Sequence, residues 1–316
     1  MLVLLVKRLA MAVPALFGVS LVSFLLLNVL PGDPLAGVVG PGSTQAERDA
    51  LAHQLGLDRS LPGQYWVWLQ GVFHGDLGFS LPRGRPVAEL ISTAFPNTMV
   101  LAAAAAIIGL GVGILLGSVA ARSARRWPDR VISSGAVLGL SVPNYWASIL
   151  LIILFSSTLG WFPPSGMHGA AGGFADLVQH LVLPALAASC VTAGLSAKMT
   201  RASLLEKLGE DFVQTLRAQG VRNWRILVHV AKNAAPPILA VSGLQIGYLL
   251  GGSVLVETIF NWPGLGQLMY HAIAERDLRV VQGSVLVIAV TFVVITLVVD
   301  LLQFAFNPRL RRGVRS

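Results

Sequence analysis

Charged residues and cysteine are both scarce in this sequence. Asp, Glu, Lys and Arg make up 12% of its 316 residues, whereas soluble domains carry about 25%. Hydrophobic residues make up 54%. Because so little charge cannot cover the surface of a soluble fold of this length, the composition favours a protein with a lipid-facing surface. The one cysteine, Cys190, excludes an intramolecular disulfide.

Sequence patterns for nucleotide and metal binding are missing. The chain has no Gly-rich phosphate loop ending in Lys-Ser/Thr, no His-Glu-x-x-His and no Cys-x-x-Cys, and its six His residues lack ligand spacing. We therefore expect no catalytic residue, no metal site and no cofactor on this chain. Ion-coupled transporters place carboxylates within their spans, but Glu257 and Asp300 fall at the ends of apolar runs, which we expect to be interfacial. The energy source of a pump would then lie on another chain.

Six apolar runs are long enough to cross a bilayer, which takes about 20 residues. They cover residues 9–30, 97–121, 131–159, 177–197, 234–256 and 280–299. The first is longer than the apolar core of a secretory signal, about 7–15 residues, so we expect a retained span. The third is longer than a span requires, so we expect its ends to lie in the interface or the helix to tilt.

The basic residues between these runs are unevenly distributed. If the N-terminus is cytoplasmic, seventeen Lys and Arg lie in the inner segments and six in the outer segments. Inner loops carry the excess of Lys and Arg in membrane proteins. We therefore predict an all-α fold with six transmembrane helices and both termini in the cytoplasm. The net charge of +8 then faces the inner membrane surface and does not indicate nucleic-acid binding.

This topology predicts four regions. Residues 1–30 form the cytoplasmic start and the first span, and residues 31–96 form an extracytoplasmic loop region. Residues 97–305 form a core of five spans with an inner loop at 198–233, and residues 306–316 form a basic cytoplasmic tail.

The inner loop carries an apolar stripe. Apolar residues recur every four positions while charged residues lie off the stripe, which predicts an amphipathic helix: the stripe is Leu204, Leu208, Phe212 and Leu216. Gly220 falls where such a helix would stop. A second short amphipathic stretch, around Trp224, is expected before the fifth span begins.

Glycines recur at every fourth residue in two of the spans. The two trios are Gly109, Gly113 and Gly117, and Gly243, Gly247 and Gly251. This spacing places each trio on one helix face, where another backbone can approach closely. We predict close helix packing at both.

The inner loop reads Glu-Asp-Phe-Val-Gln-Thr-Leu-Arg-Ala-Gln-Gly at 210–220, followed by His229 and by Asn-Ala-Ala-Pro at 233–236. This run resembles the EAA-loop signature of ABC importer permeases. In that family the segment forms a short coupling helix that docks into a cleft of the ATP-binding subunit, and an amphipathic helix suits such a groove. The resemblance implies a coupling role for Thr215, Leu216, Arg217, Ala218, Gln219, Gly220, Val221, Trp224 and Arg225.

The rest of the chain, from about residue 8 to 309, resembles the dipeptide/oligopeptide and nickel branch of those permeases. Matching runs are Pro-Gly-Asp-Pro at 31–34, Gly-Asp-Leu-Gly-Phe-Ser at 75–80, Ser-Val-Pro-Asn-Tyr-Trp at 141–146 and Glu-Thr-Ile-Phe-Asn-Trp-Pro-Gly-Leu-Gly at 257–266. Three positions depart from the branch, because Gln219, Lys198 and Asn307 stand where it usually has Lys, Arg and Asp.

The resemblance also suggests residues at the outer face and in the pathway. An outer gate or binding-protein contact is implied for Glu257, Asn261, Trp262, Pro263, Gly264, Asp76 and Phe79, although Trp-Pro-Gly is equally typical of a plain outer turn. Gln245 and Tyr248 within the fifth span either line the pathway, which we favour, or hydrogen-bond between helices.

The resemblance implies a type I ABC importer permease in the bacterial inner membrane. Its expected partners are a second homologous permease, an extracytoplasmic solute-binding protein, and two ABC ATPase subunits, or one heterodimer or fused chain, which carry ATP and Mg. The expected cargo is a short peptide, while relatives in this branch also carry nickel complexes, haem or other small solutes. Two other classes remain as alternatives: a secondary transporter or channel without ATPase partners, and a membrane scaffold that transports nothing.

Overall fold

A computed structural model describes residues 2–29, 44–47, 53, 58–169 and 172–306. The Pro-Gly-Asp-Pro run at 31–34, Asn307 and most of the basic tail lie outside these residues. The helices are α1 (Leu2–Val29), α2 (Leu61–Phe73), α3 (Val87–Arg122), α4 (Trp127–Ser141), α5 (Asn144–Leu151), α6 (Phe174–Leu208), α7 (Asp211–Ala218), α8 (Asn223–Gly252), α9 (Val254–Ile259), α10 (Leu265–Ala274) and α11 (Leu278–Phe306). A π-helical turn, Ile152–Thr158, follows α5. The short strands β1 (Phe79–Ser80) and β2 (Arg85–Pro86) pair antiparallel.

The predicted all-α architecture is confirmed, and its spans are easily located. Among the described residues, five helices are long and apolar enough to cross a membrane: α1, α3, α6, α8 and α11. A sixth crossing exists if α4 and α5 with its π-helical turn count as one span, which is bent by 103°. Prolines at 14, 96, 184, 236 and 237 lie inside helices, where neighbouring helices can satisfy the freed backbone groups.

The third apolar run is not the single tilted helix that its length predicts. The chain breaks at Val142, whose φ and ψ of −80° and 119° are extended, and restarts after Pro143. Proline has no N–H to continue the helix and disfavours the helical conformation in the residue before it. The extra length is therefore used in a bend.

The inner loop also differs from the prediction. The stripe from Leu204 to Leu216 lies on two helices, because α6 runs to Leu208 and α7 begins after a turn at Gly209 and Glu210. The stretch around Trp224 is not separate from the fifth span, since α8 is one continuous helix from Asn223 to Gly252.

The chain forms two compact units. The core unit contains residues 99–262 with the chain ends 1–7 and 292–316, and the second unit contains residues 8–98 and 263–291. The predicted division at residues 30, 96 and 305 follows membrane topology and stays a prediction.

Glycines bring the helices of the core unit together, as their spacing predicts. A Cβ added to Gly113 would lie 2.6 Å from Cβ of Ser196 on α6, and one added to Gly109 would lie 2.9 Å from Thr192. Gly243 and Gly247 face Val299 and Phe292 of α11 in the same way, whereas Gly251 faces open space. The largest buried side chains here belong to Leu101, Leu183, Leu249, Phe260 and Trp262.

The second unit has its own core and its own polar contacts. Val87, Ile91, Leu265 and Val280 are buried together. The β-hairpin is tied to the connection between α10 and α11, because the buried Ser80 hydroxyl donates to the Asp277 carboxylate and Arg83 Nε lies 3.1 Å from Glu275 Oε2.

Candidate functional site

The α7–α8 hairpin holds the residues for which coupling is predicted. Val213 of α7 and Ile226 and Val230 of α8 are buried against one another. The stripe residues pack on this cluster: Leu204, Leu208, Phe212 and Leu216, together with Val221. The stripe is thus partly buried against the chain's own helices, and docking of this segment into a partner's groove stays a prediction.

The exposed side of the hairpin is polar and basic. We define the coupling surface as the candidate residues that are exposed: Thr215, Arg217, Ala218, Gln219, Gly220, Trp224 and Arg225. Leu216 and Val221 are partly buried beneath them. Trp224 is 58% exposed, and the Arg225 guanidinium lies 5.5 Å from its ring centroid, a favourable cation–π arrangement.

Gly220 ends α7 as its position in the sequence predicts. Its φ is +73°, its N–H bonds the Arg217 carbonyl, and the Val221 N–H bonds the Leu216 carbonyl, both at 3.0 Å. This pair of bonds is the Schellman motif, in which glycine is favoured because it adopts a positive φ at little cost. A Cβ on Gly220 would meet nothing within 4 Å. Within this chain, glycine is therefore required for its backbone conformation and not for space.

A buried ion pair fixes the inner end of α6. Asp129 accepts from Arg201 at both carboxylate oxygens, at 2.5 and 2.8 Å, and also from the Arg125 N–H at 2.9 Å. Asp129 is only 3% exposed. Sequence reasoning missed this pair because its partners are 72 residues apart; the available signal is one acidic residue in the basic segment 122–130.

The two pathway candidates lie in different surroundings. Gln245 is 6% exposed, and its Nε2 lies 3.5 Å from Thr192 Oγ1 on α6. In this conformation the Gln245 side chain forms a contact between helices, which is the other of the two interpretations, and its place in the pathway stays a prediction. Tyr248 is 45% exposed, and its role in the pathway stays a prediction.

Two of the outer-face candidates in the core unit are buried. Glu257 is 0% exposed and accepts a 2.9 Å hydrogen bond from Ser253 Oγ. Trp262 is also 0% exposed, and its N–H bonds the Glu257 carbonyl at 2.8 Å. Neither side chain can touch a binding protein in this conformation, because both are enclosed by the protein, and the interfacial depth predicted for Glu257 stays a prediction. Asn261, between them in sequence, is exposed with a φ of +49°.

The other outer-face candidates belong to the second unit. Asp76, Phe79 and Pro263 are exposed, whereas Gly264 is buried. The Pro-Gly segment is tied to the third turn of α3, since the Pro263 carbonyl accepts from Asn97 Nδ2 at 2.8 Å and the Leu265 N–H donates to Thr98 Oγ1 at 2.7 Å. The turn thus has a structural role, and binding-protein contact by the exposed residues stays a prediction.

No group of three or more His, Cys, Asp or Glu side chains could hold a metal ion within the part of the chain that the structure describes.

Two adjoining matches cover almost the whole chain. Residues 113–312 match the family of binding-protein-dependent transport system inner membrane components, and residues 1–102 match the N-terminal region of such membrane components. The chain belongs to this family and is a permease subunit of an ABC importer in the inner membrane, which identifies it as a transporter subunit.

Curated relatives support the same class. The chain is 40% identical over 307 residues to proteins named glutathione transport system permease protein GsiC from Escherichia coli strain K12 and from Shigella dysenteriae. The match covers 97% of this chain and 98% of each relative. Among solved structures, an inward-facing MetNI methionine ABC transporter has a chain with a TM-score of 0.54 at 18% identity, covering 69% of this chain and 96% of that one. This likeness confirms the type I importer permease fold.

Proposed function

We propose that this chain forms half of the translocation pathway of an ATP-driven importer of short peptides. The full-length match to permeases named for glutathione transport supports a peptide cargo, because glutathione is itself a tripeptide. The proposed assembly adds a second homologous permease, an extracytoplasmic solute-binding protein and two ABC ATPase subunits, which also occur as a heterodimer or one fused chain. ATP and Mg belong to the ATPase subunits.

We further propose that the coupling surface is where the ATPases act on this chain. The observation that supports it most is the way in which the hairpin is connected. α7 is joined to α6 by the two residues Gly209 and Glu210, while α8 continues from the hairpin into the membrane. Because Val213, Ile226 and Val230 are buried between the two helices, a push on α7 is transmitted to the spans and is not absorbed by a flexible loop.

Transport then follows as a shift between two conformations. Closure of the ATPase pair moves the hairpin and favours the outward-open arrangement of the spans, and reopening favours the inward-open one. The binding protein delivers its ligand into a cavity between the two permeases.

The coupling proposal is tested with Ala218→Arg and a matched control, Ala231→Arg, an exposed alanine of α8 outside the coupling surface. Ala218→Arg places a long charged side chain on the docking face, so we expect uptake to fall by about tenfold or more, since ~1.4 kcal/mol of lost contact energy suffices. Ligand-stimulated ATP hydrolysis should fall with it, while the amount of permease in the membrane stays unchanged. Uptake that survives in Ala218→Arg as well as it does in Ala231→Arg would contradict a docking role.

The cargo proposal is tested by uptake in a strain that lacks this gene. Uptake of labelled glutathione and of other di- and tripeptides should be lost and should return when the gene is restored. Loss of nickel-complex or haem uptake instead would replace the peptide by another small solute of the same machinery. Transport by the purified chain alone in liposomes would contradict dependence on ATPase partners and favour a secondary transporter or channel.

A further inference from the structure

Helix α2 contains no charged residue. Its 13 residues read Leu-Pro-Gly-Gln-Tyr-Trp-Val-Trp-Leu-Gln-Gly-Val-Phe, within the region for which the sequence predicts an extracytoplasmic loop. Apolar segments of this length are typical of buried helices and of helices that enter a membrane without crossing it. The depth of α2 in the membrane can be derived, because it packs on two membrane-spanning helices of its own unit.

One side of α2 lies against α1. The Tyr65 hydroxyl is 2.7 Å from Ser20 Oγ, and the Tyr65 ring centroid lies 6.1 Å from that of Phe17 and 5.3 Å from that of Phe24. The Trp68 ring centroid lies 6.4 Å from that of Phe24. Tyr65 and Trp68 are both buried by these contacts.

The charged start of α1 gives the depth of these contacts. A helix rises 1.5 Å per residue, so Ser20 lies about 18 Å and Phe24 about 24 Å beyond Arg8 along the helix. The hydrocarbon core of a bilayer is about 30 Å thick. If Arg8 marks one boundary of that core, Tyr65 contacts α1 just past the midplane, and Trp68 contacts it about 6 Å short of the other boundary.

Helix α11 gives a second depth, measured from the opposite boundary. Leu286 belongs to the same buried cluster as Phe24, Tyr65 and Trp68. It lies seven residues after Arg279, near the start of α11, which is about 10 Å along the helix. Both helices therefore place the packed side of α2 inside the hydrocarbon core, in the half where α1 ends and α11 begins.

The other side of α2 is uncovered and mostly apolar, with the exposed Gln70 as its polar member. Phe73 is 81% exposed, Trp66 is 59% exposed and Val67 is 48% exposed. At the depth just derived, the surroundings of these side chains are acyl chains and not water. Exposed aromatic residues such as Trp66 also suit the region near a membrane boundary.

We propose that α2 lies within the outer leaflet of the membrane, with the face formed by Trp66, Val67 and Phe73 in contact with lipid acyl chains. This proposal moves α2 from the predicted extracytoplasmic loop into the bilayer. Neither the coupling surface nor the cargo enters the argument.

The proposal is tested by spin-label accessibility in the full chain, reconstituted with its co-purifying subunits in phosphatidylcholine vesicles. A Cys190→Ala background receives single cysteines as Val67→Cys or Phe73→Cys. Val290→Cys on α11 is the lipid reference and Arg85→Cys in the β-hairpin is the water reference, because both positions are exposed. We expect labels at 67 and 73 to collide more often with oxygen than with a water-soluble nickel complex, as at 290, and the reverse at 85.

Two results would overturn the proposal. Nickel-complex collisions at 67 and 73 as frequent as at 85 would place α2 in water above the membrane. Low collision rates with both reagents would show that another protein, such as the second permease, covers this face.

A second measurement uses conservative variants in the same vesicles. Lipids brominated in their acyl chains quench nearby tryptophan fluorescence. The quenched fraction should fall in Trp66→Phe and not in Trp224→Phe, which removes an exposed tryptophan of the inner hairpin. An unchanged quenched fraction in Trp66→Phe would count against acyl-chain contact.

Discussion

The two partners of the ion pair between Asp129 and Arg201 differ in their exposure to water. The Asp129 side chain is 4% exposed and the Arg201 side chain is 34% exposed. We expect Arg201→Ala to be the more destabilising single change, at about 3 kcal/mol, because it leaves a buried carboxylate without its counter-charge. Asp129→Ala should cost only about 1 kcal/mol, because Arg201 can turn toward solvent. Thermal unfolding of the purified importer measures the order of the two variants.

The double variant Asp129→Ala/Arg201→Ala is the control for this prediction. Because it removes both charges, it should be more stable than Arg201→Ala alone. If Asp129→Ala proves equal to or worse than Arg201→Ala, the unequal burial does not set the energetics of the pair.

Single residues were predictable where local backbone chemistry decides. Gly220 was identified as a helix end because glycine favours the left-handed conformation that such an end requires, and its φ is +73°. The burial of Gln245, Glu257 and Trp262 was not predictable, because it depends on how each segment packs in the bundle. The partner of Gln245, for example, is Thr192, which is remote in sequence. A single sequence does not reveal such pairs.

At the scale of helices, the glycines of α3 offer a matched comparison. A Cβ at Gly113 would meet Ser196 at 2.6 Å, whereas one at Gly111 would meet nothing within 4 Å. Gly113→Ala should therefore force α3 and α6 apart at a cost of about 1–3 kcal/mol. Gly111→Ala should be neutral or slightly stabilising, because alanine is the better helix former. Yield and thermal unfolding of the two variants compare them, and equal losses would refute close packing at Gly113.

The helical type and the positions of the apolar runs were predictable, but the places where the helices break were not recognised. Apolar length identified the runs, and Pro143 was present as a signal for the bend in the third. The stripe from Leu204 to Leu216 was taken as one helix because its spacing of four continues across Gly209. Both α6 and α7 turn apolar residues toward the same buried cluster, so the periodicity survives the turn.

For the whole molecule, the distribution of Lys and Arg predicts which side of the membrane each loop faces. On a Cys190→Ala background, Arg126→Cys and Arg85→Cys place single thiols at exposed positions of two different loops. In spheroplasts with an intact inner membrane, a membrane-impermeant maleimide should label Arg85→Cys. It should label Arg126→Cys only after the inner membrane is permeabilised. The opposite pattern would reverse the predicted orientation.

The class of protein was predictable because its short motifs recur in one order along nearly the whole chain, and the family matches confirm it. The cargo stayed open among peptide, nickel complex and haem for a physical reason. The expected pathway lies between two permeases, and of the two candidates on this chain only Tyr248 is exposed. One sequence therefore shows only part of the groups that would select a cargo.

The unbroken course of α8 has a mechanical consequence. Its 30 residues extend over as much as 45 Å at about 1.5 Å per residue, with the first turns in the hairpin. A rotation of about 10° around the middle of such a helix would displace each tip by roughly 4 Å in opposite directions. A pivot of this kind would narrow a passage at one end while widening it at the other, so we expect small strokes at the hairpin end to suffice to alternate access.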